Sequence, residues 1–201
     1  MPLVVSLARS TPAAISGVQV VLRPPVATDF ESWARLRHDS RTFLKPWEPT
    51  WAPDELSKES FRRRLRRYAQ TARDGSGHVF FIFERKTGAL VGGCQLSNIR
   101  QGVAQSAATL GYWMGERYAG KGLMTDAVTA LTKYCLTRLS LHRIEAACLP
   151  DNMASRRVLA KAGFVEEGVA RKYLKINGQW RDHLLFAIIE DDLAARRSPK
   201  G

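Results

Sequence analysis

Gly111-Tyr-Trp-Met-Gly-Glu-Arg-Tyr-Ala-Gly-Lys-Gly-Leu-Met-Thr125 is the stretch on which the reading of this 201-residue chain turns. Before it, Ala107 to Met114 has the composition of a strand. After it, Leu123, Ala127, Ala130, Leu131, Tyr134, Cys135 and Leu139 recur at helical spacing. A glycine loop at a strand-to-helix junction leaves backbone N–H groups facing outward at the positive end of the helix, where an anion is favoured. Gly120 and Gly122 carry no side chain and let the backbone approach a phosphate. Gly115 to Lys121 begins like a nucleotide P-loop, but Gly122 stands where a Ser or Thr hydroxyl would reach Mg²⁺. A dinucleotide fingerprint needs a glycine at 125, which is Thr125. What remains is Arg117-x-x-Gly120-x-Gly122, set against the plainer reading of a helix-capping turn.

Working outward, Val18 to Leu22 reads as a strand and Thr28 or Asp29 caps a helix to about His38. Phe43 to Pro53 holds three prolines and two tryptophans, Trp47 and Trp51, which suits a stiff loop walling a pocket. A helix from about Asp54 to Arg73 carries Arg62, Arg63, Arg64, Arg66 and Arg67. His78 to Arg85, Ala89 to Asn98 (with a bulge expected at Gly92-Gly93) and Ala107 to Met114 form a meander of strands. Leu123 to Leu139 is a helix, Arg143 to Leu149 a strand, and Asn152 to Ala162 a helix stopped by Gly163. Phe164 to Leu174 and His183 to Ile189 are strands around Asn177-Gly178. The expected fold class is α+β, one domain over 18–195 with a mixed, mostly antiparallel sheet flanked by helices. A leader is expected over 1–17 and a tail over 196–201.

Composition narrows the function. The 31 Lys and Arg against 19 Asp and Glu leave +12, a field that attracts anions such as RNA, an acidic surface or a phosphorylated cofactor. With 45% hydrophobic residues the chain is neither disordered nor fibrous. No apolar run is long enough to span a membrane, and the apolar patch Leu3 to Val5 is too short for a secretion signal, so a cytoplasmic protein is expected. Cys94, Cys135 and Cys148 are scattered, as buried free thiols are, and no metal-ligand spacing occurs.

The Arg117/Gly120/Gly122 loop resembles the pyrophosphate loop of the GNAT superfamily of N-acetyltransferases. There the loop follows the fourth strand and opens the third helix, and a later strand leads to a helix starting near an Asn and ending in Gly-Phe. Asn152, Ser155 and Lys161-Ala-Gly-Phe164 match that later part. Phe43-Leu-Lys-Pro-Trp-Glu-Pro49, Leu141-His-Arg-Ile144 and Gly178-Gln-Trp-Arg-Asp-His183 are similar to the RimJ-type branch, within the RimJ/RimL ribosomal-protein acetyltransferases. The resemblance implies acetyl-coenzyme A as cosubstrate and no metal. It also implies a protein N-terminus as acceptor, an alanine start of a ribosomal protein, in a monomer or homodimer.

A thioester is already activated, so the amine attacks directly, an oxyanion forms and thiolate leaves. The resemblance implies that the Met114 backbone N–H stabilises the oxyanion and that the strand end pairs with pantetheine. The amides of Tyr118, Ala119, Gly120, Lys121, Gly122, Leu123 and Met124, with the charges of Arg117 and Lys121, are expected to hold the pyrophosphate. Ser155 is expected to protonate the thiolate, and Asn152 to touch pantetheine; the plainer roles are a polar helix residue and an N-cap. Trp47, Glu48, Trp51 and Tyr112 are expected to bind the acceptor. Glu48 is also expected to hold or relay the amine proton, with Glu116 as alternative. An α-amine, with pKa near 7.7–8.0 against about 10.4 for Lys, needs only a weak base. His142, Asp182 and His183 read as structural. The arginine cluster is expected to meet ribosomal RNA. Two rivals stay open: acetylation of a small amine, which a cleft rich in acids would mark, and a non-catalytic RNA-binding module, which failure to bind coenzyme A would mark.

Overall fold

The computed structural model describes residues 14–102 and 104–195, so most of the expected leader and the whole tail lie outside the described residues. In chain order the strands are β1 (Ile15–Ser16), β2 (Val20–Arg23), β3 (His78–Glu84), β4 (Leu90–Gln101), β5 (Ser106–Met114), β6 (Arg143–Cys148), β7 (Val165–Ile176) and β8 (Gln179–Ile189). The helices are α1 (Phe30–Asp39), α2 (Arg41–Leu44), α3 (Lys58–Arg73), α4 (Leu123–Thr137), α5 (Met153–Ala162) and α6 (Glu190–Ala195). The strands form one sheet in the order β1-β2-β3-β4-β5-β6-β8-β7. Every neighbouring pair is antiparallel except β5 with β6. A parallel pair needs a crossover, and α4 supplies it.

Alternation along β3 sends Phe80 and Ile82 into one core and Phe81 into another. The larger core is capped by α4 and α5, with Leu131, Cys135 and Leu159 packed against Leu96, Leu110 and Ile144. The smaller holds Trp33 and Leu36 of α1 and Phe61 of α3 against Phe81 and Leu90. All three cysteines are buried and free, as expected.

The structure departs from the sequence reading at several places. Ile15 and Ser16, the end of the expected leader, pair with Leu22 and Val21. Helix α3 starts at Lys58, not Asp54, because turns closed by Glu55 N–H on Ala52 and Ser57 N–H on Asp54 precede it and Ser57 caps Ser60 N–H at 3.0 Å. The Pro-rich loop contains the short α2 and a 3₁₀ turn, Lys45–Trp47. The bulge falls at Val91, between the pairs Ile82–Gly92 and Phe83–Leu90. Gly92 and Gly93 instead make room for Trp113. A Cβ on Gly92 would lie 2.4 Å from the Trp113 carbonyl oxygen, and one on Gly93 2.6 Å from the Trp113 indole nitrogen. The last hairpin is longer than expected, its strands running up to Asn177 and Gly178, which take φ of 45° and 82°.

Candidate active site

The site begins where two strands stop pairing. β5 and β6 are in register only from Ala107–Arg143 to Leu110–Ala146. Beyond Leu110, Gly111 to Met114 keep β4 on one side and, among the described residues, have no strand on the other. Gly115 N–H donates to Val91 O at 2.9 Å. Strand alternation therefore turns the amides of Met114 and Tyr112 to the open edge, a slot able to take an extended ligand as a strand partner.

The glycine loop lies past the end of this slot. Gly120 and Gly122 have φ of 76° and 79°, the left-handed region that side chains resist. A Cβ on Gly120 would meet nothing within 4 Å, and one on Gly122 only Gln19 Nε2 at 3.8 Å, so the loop faces open space. Two of the expected phosphate donors are used locally: Tyr118 N–H donates to Gly115 O at 2.9 Å and Ala119 N–H to Glu116 O at 3.0 Å. That narrows the cradle to Gly120, Lys121, Gly122 and the first amides of α4, Leu123 and Met124, which have no acceptor within the helix. Leu123 and Met124 are buried in the core, so they offer backbone alone. The Arg117 and Lys121 cations stand 4.9 and 5.6 Å from the Tyr118 ring centre.

Across the slot, α5 presents Ser155. Its Oγ lies 2.8 Å from the Tyr112 phenol oxygen, and its N–H donates to Asn152 Oδ1 at 3.0 Å. Asn152 is thus the N-cap of α5, its oxygen engaged and its NH₂ group left as donor. Burial raises the Tyr112 pKa above the ordinary value, outweighing the Ser155 hydrogen bond that lowers it. The Cys148 thiol at the end of β6 is likewise raised by burial, with a hydrogen bond to Ser155 pulling the other way.

Beside the slot opens a cleft of about 1010 Å³, lined by Trp51, Glu48, Tyr112, Trp113 and others from the sheet, α1, α3 and β7. Trp47 is not on its wall. Nor is Glu116, which faces a smaller pocket with Ser40 and Arg117. Glu48 is on the wall, but its carboxylate is engaged. Arg37 donates to both oxygens at 2.7 Å and Trp51 Nε1–H donates at 2.7 Å. The Arg37 guanidinium sits 4.4 Å from the Trp51 ring centre and 4.9 Å from that of Trp113. Arg37 was not among the expected site residues; a cation at helical spacing with Trp33 and Leu36, with Glu48 eleven residues on, was the available signal. The Glu48 carbonyl accepts from Asn177 N–H at 3.0 Å, tying the hairpin tip to this loop.

The arginine cluster divides. Arg64 and Arg67, with Tyr68, line the cleft, while Arg62, Arg63 and Arg66 are exposed off its wall. Arg63 pairs with Asp54 and Arg64 with Glu55. His183 is buried with Nδ1 3.0 Å from Arg181 O, and Asp182 accepts from Lys172 N–H at 2.8 Å. His142 joins β6 to Ser106 through its backbone N–H at 3.1 Å. Among the described residues no group of three His, Cys, Asp or Glu is placed to hold a metal. No helix among them is long and apolar enough to cross a membrane.

Residues 19–165 match the acetyltransferase (GNAT) domain model. The chain is 38% identical over 178 residues to the probable N-acetyltransferase YjcK of Bacillus subtilis, covering 89% of this chain and 98% of that one. It is 37% identical over 166 residues to the ribosomal protein uS5-alanine N-acetyltransferase of Escherichia coli, covering 82% of this chain and 85% of that one. Among solved structures, Mycobacterium smegmatis RimJ in complex with CoA-disulfide superposes with a TM-score of 0.86 at 35% identity, covering 92% of this chain and 93% of that one. By sequence and by fold, this chain belongs to the GNAT family of acetyltransferases.

Proposed function

We propose that this protein transfers the acetyl group of acetyl-coenzyme A to the α-amine of a protein N-terminus, that of a ribosomal protein beginning with alanine. The observation that carries the reading is the open β5 edge, which leads past Met114 to the glycine loop and faces the Tyr112–Ser155 pair. Coenzyme A fits these residues: the slot suits an amide-bearing arm, and the unfilled space at Gly120 suits a phosphate. The cosubstrate supplies an acetyl group already activated as a thioester.

The chain's own residues would then act as follows. Amides of Gly120 to Met124 hold the pyrophosphate, with Arg117 and Lys121 adding charge, and the Asn152 side chain keeps one donor for the arm. The Met114 N–H donates to the acetyl oxygen as charge builds there, worth roughly 3 kcal/mol for such a donor. Ser155 Oγ–H donates to the departing sulfur, with Tyr112 donating to Ser155 in turn. Trp51 and Tyr112 wall the acceptor cleft. Glu48, engaged by Arg37 and Trp51, holds that wall. An α-amine titrating near 7.7–8.0 presents a neutral fraction near pH 7 without a strong base. Arg62, Arg63 and Arg66 form a cationic face suited to ribosomal RNA, and such a substrate would place the enzyme in the cytoplasm.

The test incubates the protein with labelled acetyl-coenzyme A and an array of N-terminal peptides from ribosomal proteins, with polyamines and aminoglycosides alongside. Label on alanine-starting N-termini is expected. Label confined to small amines, or no coenzyme A binding by calorimetry, would overturn the proposal. In parallel, Gln at Arg62, Arg63 and Arg66 should slow acetylation of ribosome-associated acceptor and reduce its salt dependence more than for a free peptide. An equal effect on both would refute the docking role.

A further inference from the structure

The cleft lining carries four arginines and four glutamates, and ion pairs engage all of them but one. Arg37 pairs with Glu48 at 2.7 Å, Arg64 with Glu55, and Arg143 with Glu167 and with Glu145 at 3.0 Å. These account for every charged residue of the lining except Arg67. Among the described residues Arg67 has no carboxylate partner; its guanidinium lies 5.8 Å from the centre of the Tyr68 ring.

The helix that carries Arg67 is held in place. Arg67 follows Arg64 by three residues and precedes Tyr68 by one, so these three share the cleft face of α3. Phe61 anchors that helix, its ring centre 4.9 Å from Trp33 and 6.3 Å from Phe81. The Arg63–Asp54 and Arg64–Glu55 pairs tie it to the preceding turn. At about 1010 Å³ the cleft reaches the upper end of the ~300–1,000 Å³ of small-molecule sites, room for several residues of an extended chain.

We infer that Arg67 is a specificity-determining residue that reads an Asp or Glu side chain within the first few residues of the acceptor, so that the preferred substrates are N-termini with an acidic residue close behind the reacting amine. This rests on the acceptor reading above. An acceptor carboxylate would supply the partner that the cleft lacks, while a cationic side chain there would meet an unopposed cation.

The experiment takes one alanine-starting peptide with Gln at positions 2 to 6 and five variants with a single Glu, and measures KM and kcat with wild type and with Arg67→Gln. In wild type one Glu position should lower KM by roughly two- to fivefold, the range of an exposed ion pair, with the difference shrinking as salt rises. In Arg67→Gln that difference should vanish, and in Arg67→Glu it should invert in favour of a Lys peptide. Equal KM for all the peptides in wild type, or a Glu preference that survives Arg67→Gln, would overturn the assignment. Absence of acetylation on every peptide would instead overturn the acceptor reading itself.

Discussion

The phenol oxygen of Tyr112 stands 2.8 Å from Oγ of Ser155, joining the open edge of β5 to the first turn of α5. Burial raises the Tyr112 pKa, so the phenol keeps its proton and has it to offer to the serine oxygen. On the proposed function, the serine would direct its own O–H to a departing sulfur in the slot. Each hydrogen bond in such a chain polarises the next.

Ser155→Ala is expected to lower kcat by roughly ten- to a thousandfold with little change in KM for acetyl-coenzyme A, because leaving-group protonation matters chiefly in the transition state. Tyr112→Phe should lower kcat less, and the double variant should fall well short of the product of the two effects. Steady-state kinetics on the three variants decides it. A Ser155→Ala enzyme within twofold of wild type removes the serine from the chemistry.

Gly120→Val should abolish coenzyme A binding without unfolding the protein. The left-handed φ of 76° costs a side chain roughly 1–2 kcal/mol, and the two methyls fill the space left for a phosphate. Calorimetry together with circular dichroism tests this; unchanged affinity in a folded variant would move the phosphate site elsewhere.

Arg37→Met should destabilise the protein by about 3 kcal/mol, the low end for breaking a buried pair, since the side chains of Arg37 and Glu48 are 9% and 19% exposed. For a chain of this size that is a fall of roughly 6–12 °C in Tm. Arg37→Met with Glu48→Leu should recover part of the loss, because the carboxylate is no longer stranded. Scanning calorimetry showing a shift under 1 °C for the single variant would contradict the strut role of this pair.

Burial holds the His78 imidazole below its ordinary value of 6.5, so the folded protein prefers it neutral. As pH falls below 6.5 the unfolded chain takes up that proton first. The contribution of His78 is therefore complete above neutral pH and is lost as pH drops through 6.5 toward the depressed folded value. His78→Gln should show a flatter Tm between pH 7.5 and 5.5 than wild type. Parallel curves would remove His78 as a source of acid sensitivity.

What the sequence made legible follows from local chemistry. Gly163 and Gly178 announced a helix stop and a turn, and both have positive φ, as do Gly120 and Gly122 of the loop. The period change after Met114 located α4, and Asn152 with Gly163 bracketed α5. What stayed hidden depends on contacts distant in sequence. The gap between β5 and β6 is a matter of register, which no single strand encodes. The engagement of Glu48 required Arg37 from another helix, and the Asn177 bond to its carbonyl required a hairpin more than a hundred residues away. The Gly92–Gly93 pair was read as a bulge because their true neighbours, the Trp113 carbonyl and indole, lie on the adjacent strand.

The unpaired run from Gly111 to Met114 has one more consequence. It is a seam in the middle of a sheet whose peptide groups, on the proposed function, would find a strand-like partner in the cosubstrate. An empty enzyme thus carries an internal edge of the kind that recruits foreign strands and admits solvent to slow-exchanging amides. Occupied in that way, the same seam would be closed, and the folded state would gain stability in proportion to the logarithm of coenzyme concentration. The metabolic supply of acetyl-coenzyme A would then set how long each molecule survives as well as how fast it works.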